Sequence, residues 1–342
     1  MKKLLSLFIG TFLCLSFAFG QQNVVEIRHS FPSASIQTVE ARTSGGSITV
    51  TGDAGAQATV VVRASGNNRL SESRVRELLE EKYDINVRVE NGRLIAEARA
   101  RRTIIGRNQD GLSISFVISV PSNVSSELRT SGGSIRIGDL NGSTQDFQTS
   151  GGSLSIENVS SNIDGRTSGG SINLRNSQGN INLRTSGGSI MAQNSSGIVI
   201  LRTSGGSLTL NNLSGNIDAR TSGGSVRANN IQGTLNAQTS GGSVNLNRLS
   251  GNVEASTSGG SLNVEMLAVN EFVRLTNSSG NLSLTLPANQ GYNLNVRGSN
   301  RITTSGLQNF TGNIDERNIS GTVGNGGATV NARGQRVNLI FQ

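Results

Sequence analysis

The pentapeptide Thr-Ser-Gly-Gly-Ser occurs nine times in this chain, with its threonines at Thr43, Thr130, Thr149, Thr167, Thr185, Thr203, Thr221, Thr239 and Thr257. From Thr149 to Thr257 the steps are equal, 18 residues each. A fixed period of about 20 residues leaves few folds open, because each repeat must bury its apolar side by stacking on the next. Inside the period lies a weaker copy. Thr167-Ser-Gly-Gly-Ser-Ile-Asn-Leu-Arg175 is followed by Asn176-Ser-Gln-Gly-Asn-Ile-Asn-Leu-Arg184, so the elementary unit has 9 residues.

Apolar residues recur in pairs two apart: Ile172/Leu174, Ile181/Leu183, Ile190/Ala192, Val199/Leu201, and onward to Leu262/Val264. Strand side chains alternate with period two, so both members of a pair face one side. Each short strand closes at a glycine-bearing turn, either Ser-Gly-Gly or Ser/Gln-Gly-Asn. Access to positive φ, which a Cβ resists, is the expected reason for those glycines. Two strands and two turns per period predict a narrow, right-handed parallel β-solenoid, an all-β fold with coils about 4.8 Å apart. A left-handed hexapeptide helix would place apolar residues every sixth position, and the alternating 2, 7 spacing here excludes it. A calcium β-roll shares the short glycine-rich unit, but no regular aspartate stands here to ligate the metal. No metal or other cofactor is expected.

The ends depart from the repeat, as stacked arrays require. Strands are expected at residues 36–42, 47–51, 59–63, 85–89, 94–98 and 113–120, with a hairpin turn at Asn91-Gly92 and one helix over 71–82. A basic loop spans 104–111, with Arg99, Arg101, Arg102 and Arg107 around it. The last strands are expected at 282–286, 292–296 and 337–341. The organisation reads as an export signal at 1–20, a β-rich N-terminal cap at 21–128, the regular solenoid at 129–286, and irregular C-terminal coils at 287–342.

The first 20 residues have the form of a cleavable signal: Lys2 and Lys3, an apolar run from Leu4 to Phe17, and small residues before Gln21. Cys14 lies inside that run without the small residues a lipid-anchor motif needs. Cleavage removes this cysteine, the single one in the chain, and with it disulfides and thiol chemistry. No later stretch is apolar enough to span a bilayer. The product is expected in the periplasm, on the cell surface or outside the cell. The formal net charge is +8, two units of it from Lys2 and Lys3, and nearly all the rest is arginine. Aromatic residues make up only 4%, so the core must come from small aliphatic residues stacked in register.

Alternating "TSGGSI" and "SGNI" turns, behind a strand–helix–strand head that ends at Val120-Pro121, resemble those of a bacterial putative-adhesin family. That family carries a domain of unknown function, and the head-GIN group is its close relative. The resemblance runs from about Val39 to Phe341. It implies a right-handed β-solenoid, exported or envelope-associated, and it supplies no catalytic residues to carry over.

Arg166, Arg184, Arg202 and Arg220 precede the threonine on four consecutive coils, facing outward. Asp164 and Asp218 stand two residues upstream, with Asn182 and Ile200 at the equivalent positions between. Like charges on neighbouring strands repel. The row therefore reads either as a partly paired, solvated face or as a track for an anionic polymer. Asn173, Thr209, Asn211, Asn229, Asn245, Asn247 and Asn263 occupy the opposite face, where they either bond one another or meet sugar hydroxyls. The threonines continue the inward phase, which does not suit an ice-binding array. His29, the single histidine, has no nucleophile motif beside it. Asp164 and Asp218 fall three coils apart, about 14 Å by sheet spacing, too far for a glycosidase pair. The expectation is a noncatalytic surface or envelope solenoid for adhesion or scaffolding. The alternatives are a module for an anionic polysaccharide or lipopolysaccharide along the arginine face, and a carbohydrate-active enzyme. Expected partners are an anionic glycan or an envelope protein, not nucleic acid.

Overall fold

The computed structural model describes residues 24–67, 70–101 and 111–342. The segment expected to be an export signal, with Cys14, and most of the basic loop including Arg102 and Arg107, lie outside them. The strands join one continuous, mostly parallel sheet wound into coils. One ladder stacks Ile135–Gly138, Leu154–Glu157 and Ile172–Arg175 on the first half of Ile190–Arg202. The other stacks Thr144–Gln148, Asn162–Arg166 and Gln178–Arg184 on the second half of that strand. From there Leu208–Arg220, Val226–Thr239 and Val244–Thr257 run through both ladders in unbroken 18-residue register.

Every member of the expected apolar pairs from Ile172 to Val264 points inward and is at most 3% exposed. Full burial of each Val, Leu or Ile among them stabilises by about 1.5–3 kcal/mol, and stacking repeats this gain on every coil. A third inward position, missed by the two-per-strand count, is filled by Val159, Ser177, Ser195, Leu213, Ile231 and Leu249. The two serines there satisfy their hydroxyls locally. Ser177 donates to the Arg175 carbonyl and Ser195 to that of Gln193, each at 2.8 Å.

The Ser-Gly-Gly glycines do not serve the purpose expected of them. None of them adopts positive φ. The left-handed positions lie at the other corner, on Asn158, Asn176, Asn194, Asn212 and Asn230, with Gly179, Gly197, Gly215, Gly233 and Gly251 shortly after. Asparagine tolerates that conformation better than other residues with a Cβ. In Ser-Gly-Gly the second glycine is needed for close approach instead. A Cβ on Gly206 would stand 2.0 Å from the carbonyl oxygen of Gly188 in the preceding coil. Thr221 then donates its hydroxyl to the Gly206 carbonyl at 2.8 Å and accepts from the N–H of Gly224 at 3.3 Å. The same pair of bonds repeats from Thr149 to Thr257. The threonines are therefore buried, as their inward phase requires.

At the N-terminal end, Val24–Pro32 pairs antiparallel with Gln57–Ser65, which pairs antiparallel with Ser113–Ser119. The first of these strands was not evident in the sequence. The helix Glu72–Lys82 has Ser71 as its N-cap, accepting from the Arg74 N–H. It buries Val75, Leu78 and Leu79 against strands Val24–Pro32, Gln57–Ser65 and Tyr83–Glu90. At the other end the chain exchanges order. Tyr292–Ser305 is laid one rung ahead, and the final strand, Ala328–Phe341, fills the gap behind it. That strand pairs with Leu262–Asn277 and Asn281–Leu286 on one side and with Tyr292–Ser305 on the other. Asn318–Val323 and Phe310–Ile314 then close the end antiparallel. Tyr292 is buried there, its hydroxyl donating to the Pro287 carbonyl at 2.8 Å, and burial pushes its pKa up to about 12.

The two glycines of one turn should separate sharply. Gly206→Ala is expected to cost about 3 kcal/mol or more, the upper end of overpacking effects. Gly205→Ala, whose Cβ would meet only an ordinary contact at 3.5 Å, should stay within about 1 kcal/mol of the parent. Urea denaturation of both variants measures the difference.

Candidate functional site

The structure brings Arg166, Arg184, Arg202 and Arg220 into one row, each the register partner of the next. They line a groove of about 790 Å³ together with Gln148, Gln238 and Ser256 from the same row and with residues of the Thr-Ser turns, among them Ser168, Ser186, Ser204 and Ser222. Strand alternation fixes their outward direction and coil stacking fixes their spacing.

Charge pairing divides the row. Arg166 donates to Asp164 through Nε at 2.9 Å and Nη2 at 3.2 Å. Asp218 is shared, accepting from Arg220 Nε at 2.9 Å and from Arg202 Nη2. Arg202 also donates to the Asp218 carbonyl at 2.9 Å, reaching across to the next coil. Arg184 instead donates to the neutral Asn182 Oδ1 at 3.1 Å, and no carboxylate lies within ion-pair distance of it among the described residues. Partial burial pushes the Asp164 carboxyl up, but bonds from Arg166 and Asn182 and the charges of Arg166 and Arg184 outweigh it. The carboxyl is held below its ordinary range. Arg166 is raised in return, first by its hydrogen bond to Asp164.

Ile200 interrupts the acid row and is half-buried, while Ile198 on the same face is 51% exposed. On the opposite sheet the expected asparagine face contains one bond along the stack, Asn263 to Asn245 at 2.8 Å. The continuous ladder stands one corner away. Asn230, Asn212, Asn194, Asn176 and Asn158 each donate to the residue one coil back at 2.9–3.2 Å, ending on Asp139. Asparagine at an 18-residue spacing was visible in the sequence, but its left-handed backbone and corner position were not. Of the basic loop, Arg99 pairs with Glu97 at 2.6 Å and Arg101 with Asp84 at 2.7 Å. No group of metal-ligating side chains occurs among the described residues.

Residues 196–335 match the family model described as Toastrack DUF4097. The Toastrack match is to a domain of unknown function, in agreement with the resemblance carried by the turns. It takes in the regular coils from Ser196 and most of the exchanged C-terminal end. Two solved structures are also similar. One is a putative cell adhesion protein from Clostridium sporogenes, 10% identical, with 93% of this chain and 100% of that chain covered and a TM-score of 0.21. The other is a putative adhesin from Bacteroides fragilis, 14% identical, with 93% and 96% covered and a TM-score of 0.24. No curated protein matches the chain.

Because its folded-state carboxyl lies below the ordinary value, Asp164 adds stability that is present above the unfolded pKa and lost as pH falls through the folded one. The stability difference between the parent and Asp164→Asn, read from urea midpoints, should therefore be largest near neutrality. It should shrink as the pH falls below the ordinary carboxylate range and through the lowered folded-state value.

Proposed function

We propose that this chain is an exported, noncatalytic β-solenoid that serves adhesion or scaffolding at the cell surface or in the envelope. The observation that carries this reading is the way outward polar side chains bond along the stack. The asparagine corner, the serine N–H contacts from one coil to the next, and the Arg202–Asp218 pair run parallel to the axis. They make a rigid rod with continuous flat faces, suited to contact over length. Through the regular coils the turns keep one length, so no long loop rises to wall a catalytic cleft. Asp164 and Asp218 stand three rungs apart, as register partners of Asn182 and Ile200 in turn. Export is supported by the basic start, the apolar run and the small residues before Gln21, and N-terminal sequencing of exported protein should begin at Gln21.

A second reading, contact with an anionic polysaccharide along the groove, is favoured by Arg184, which has no carboxylate partner among the described residues. A glycan-array screen at low and physiological salt, run beside an assay for newly formed reducing or unsaturated sugar ends, tests both readings. Binding without release of ends is the expected result. Salt-sensitive binding lost in Arg184→Ala/Arg202→Ala would assign the contact to the groove. Release of sugar ends would overturn the noncatalytic reading, and silence on glycans and on cell surfaces alike would overturn adhesion.

A further inference from the structure

The arginine row outlasts the sequence period. Beyond Arg220 it passes through Gln238, Ser256 and Thr276, and then meets Arg333 and Arg297, each the register partner of the one before. On the other side of the same corner Arg336 and Arg301 are register partners on the same two strands. Arg317 adds a fifth: its carbonyl accepts from the Gly298 N–H at 2.9 Å, and Asn318 beside it pairs with Arg297. All five side chains are exposed. Among the described residues none of them has a carboxylate within ion-pair distance or donates a side-chain hydrogen bond.

This differs from most of the row, where Arg184, bonded to the neutral Asn182, is the exception and Arg202 takes its acid from the next coil. Two residues before Arg42, Arg129, Arg166 and Arg220 stand Glu40, Glu127, Asp164 and Asp218, each in an ion pair. Two residues before Arg297 and Arg333 stand Asn295 and Asn331, and the next residue in that line of register partners is Arg274. Neither acid of the nearby turn, Asp315 or Glu316, lies within ion-pair distance of these arginines. Asp315 accepts from the backbone N–H groups of Arg317 and Asn318 at 2.8 and 2.7 Å.

Guanidinium groups on neighbouring strands repel, and among the described residues no carboxylate pairs with them here. A bound anion would. Four guanidiniums on two sides of a corner present more donors than the two oxygens of a carboxylate can accept, whereas a phosphate group offers more oxygens and up to about two charges. We propose that Arg297, Arg301, Arg333 and Arg336, with Arg317 at the rim, form a binding site for a phosphate-bearing anion at the C-terminal end of the solenoid. The planar guanidinium fork matches that group in geometry as well as charge. The phosphate belongs either to a lipid headgroup or to a free phosphate compound. This site is independent of the groove beside Arg184.

The test titrates the purified chain with sodium tripolyphosphate by calorimetry and sediments it with mixed phosphatidic acid/phosphatidylcholine vesicles, whose acidic headgroup is a phosphomonoester, using phosphatidylcholine vesicles as the control. Both are run at about 50 mM salt to limit screening. The variant Arg297→Gln/Arg301→Gln/Arg333→Gln/Arg336→Gln should lose at least about tenfold in affinity, and Arg202→Gln/Arg220→Gln should stay within about twofold of the parent. A second variant, Asn331→Asp, restores the acid found beneath the paired arginines. It should weaken binding with every arginine still in place, so a lost fold cannot explain the result. Binding of tripolyphosphate alone assigns a free phosphate compound, and binding of vesicles alone assigns a headgroup. The proposal is overturned if the parent binds neither, or if the quadruple variant and Asn331→Asp both bind as the parent does.

Discussion

The stack depends on one bond, from the threonine hydroxyl of each coil to the carbonyl of the second turn glycine in the coil before it. That bond forms only because a residue without a Cβ lets two backbones approach closely. Once made, it locks the turns of successive coils together and fixes the register of both ladders they join. A slip of one residue would send the Leu and Ile side chains to solvent and the asparagines inward, so register and core are specified together. A chain poor in aromatic residues can then build a long apolar interior, because neighbouring coils supply contacts that a single unit cannot.

The parts of this fold that follow from local spacing were legible in the residues. The inward pairs from Ile172 to Val264, the stacked 18-residue coils and the capped helix ending at Lys82 all follow from period and punctuation. What escaped depends on contacts between coils. Gly206 looks like a turn residue from its neighbours in sequence, and only the Gly188 carbonyl beneath it shows that space is the constraint. Leu213 and Ile231 follow a left-handed asparagine, and the inward bend this creates breaks simple alternation. The pairing of Arg202 with Asp218 crosses from one coil to the next, so no count of residues along the chain reveals it.

The arginine row shows how one position can serve two ends through its neighbours alone. At Arg166, Arg202 and Arg220 an aspartate two residues upstream, or one coil ahead, turns the guanidinium into part of the wall. At Arg297 and Arg333 asparagine replaces the acid and the charge remains exposed. Sequence reading found the first group because it obeys the period. It passed over the second because those rungs arrive in exchanged order, Arg333 lying between Thr276 and Arg297 in space but after both in the chain.

That exchanged order also constrains how the molecule is completed. Regular coils can add one after another, each finding a finished neighbour to lie on. Tyr292–Ser305 has no such neighbour when it leaves the coil at Asn281–Leu286, since the rung between them is made by Ala328–Phe341. The last two rungs must therefore assemble together, after the whole chain is available and at the cost of closing a long loop. The strand Ala328–Phe341 is thus a keystone: without it Tyr292–Ser305 has no parallel rung to lie on.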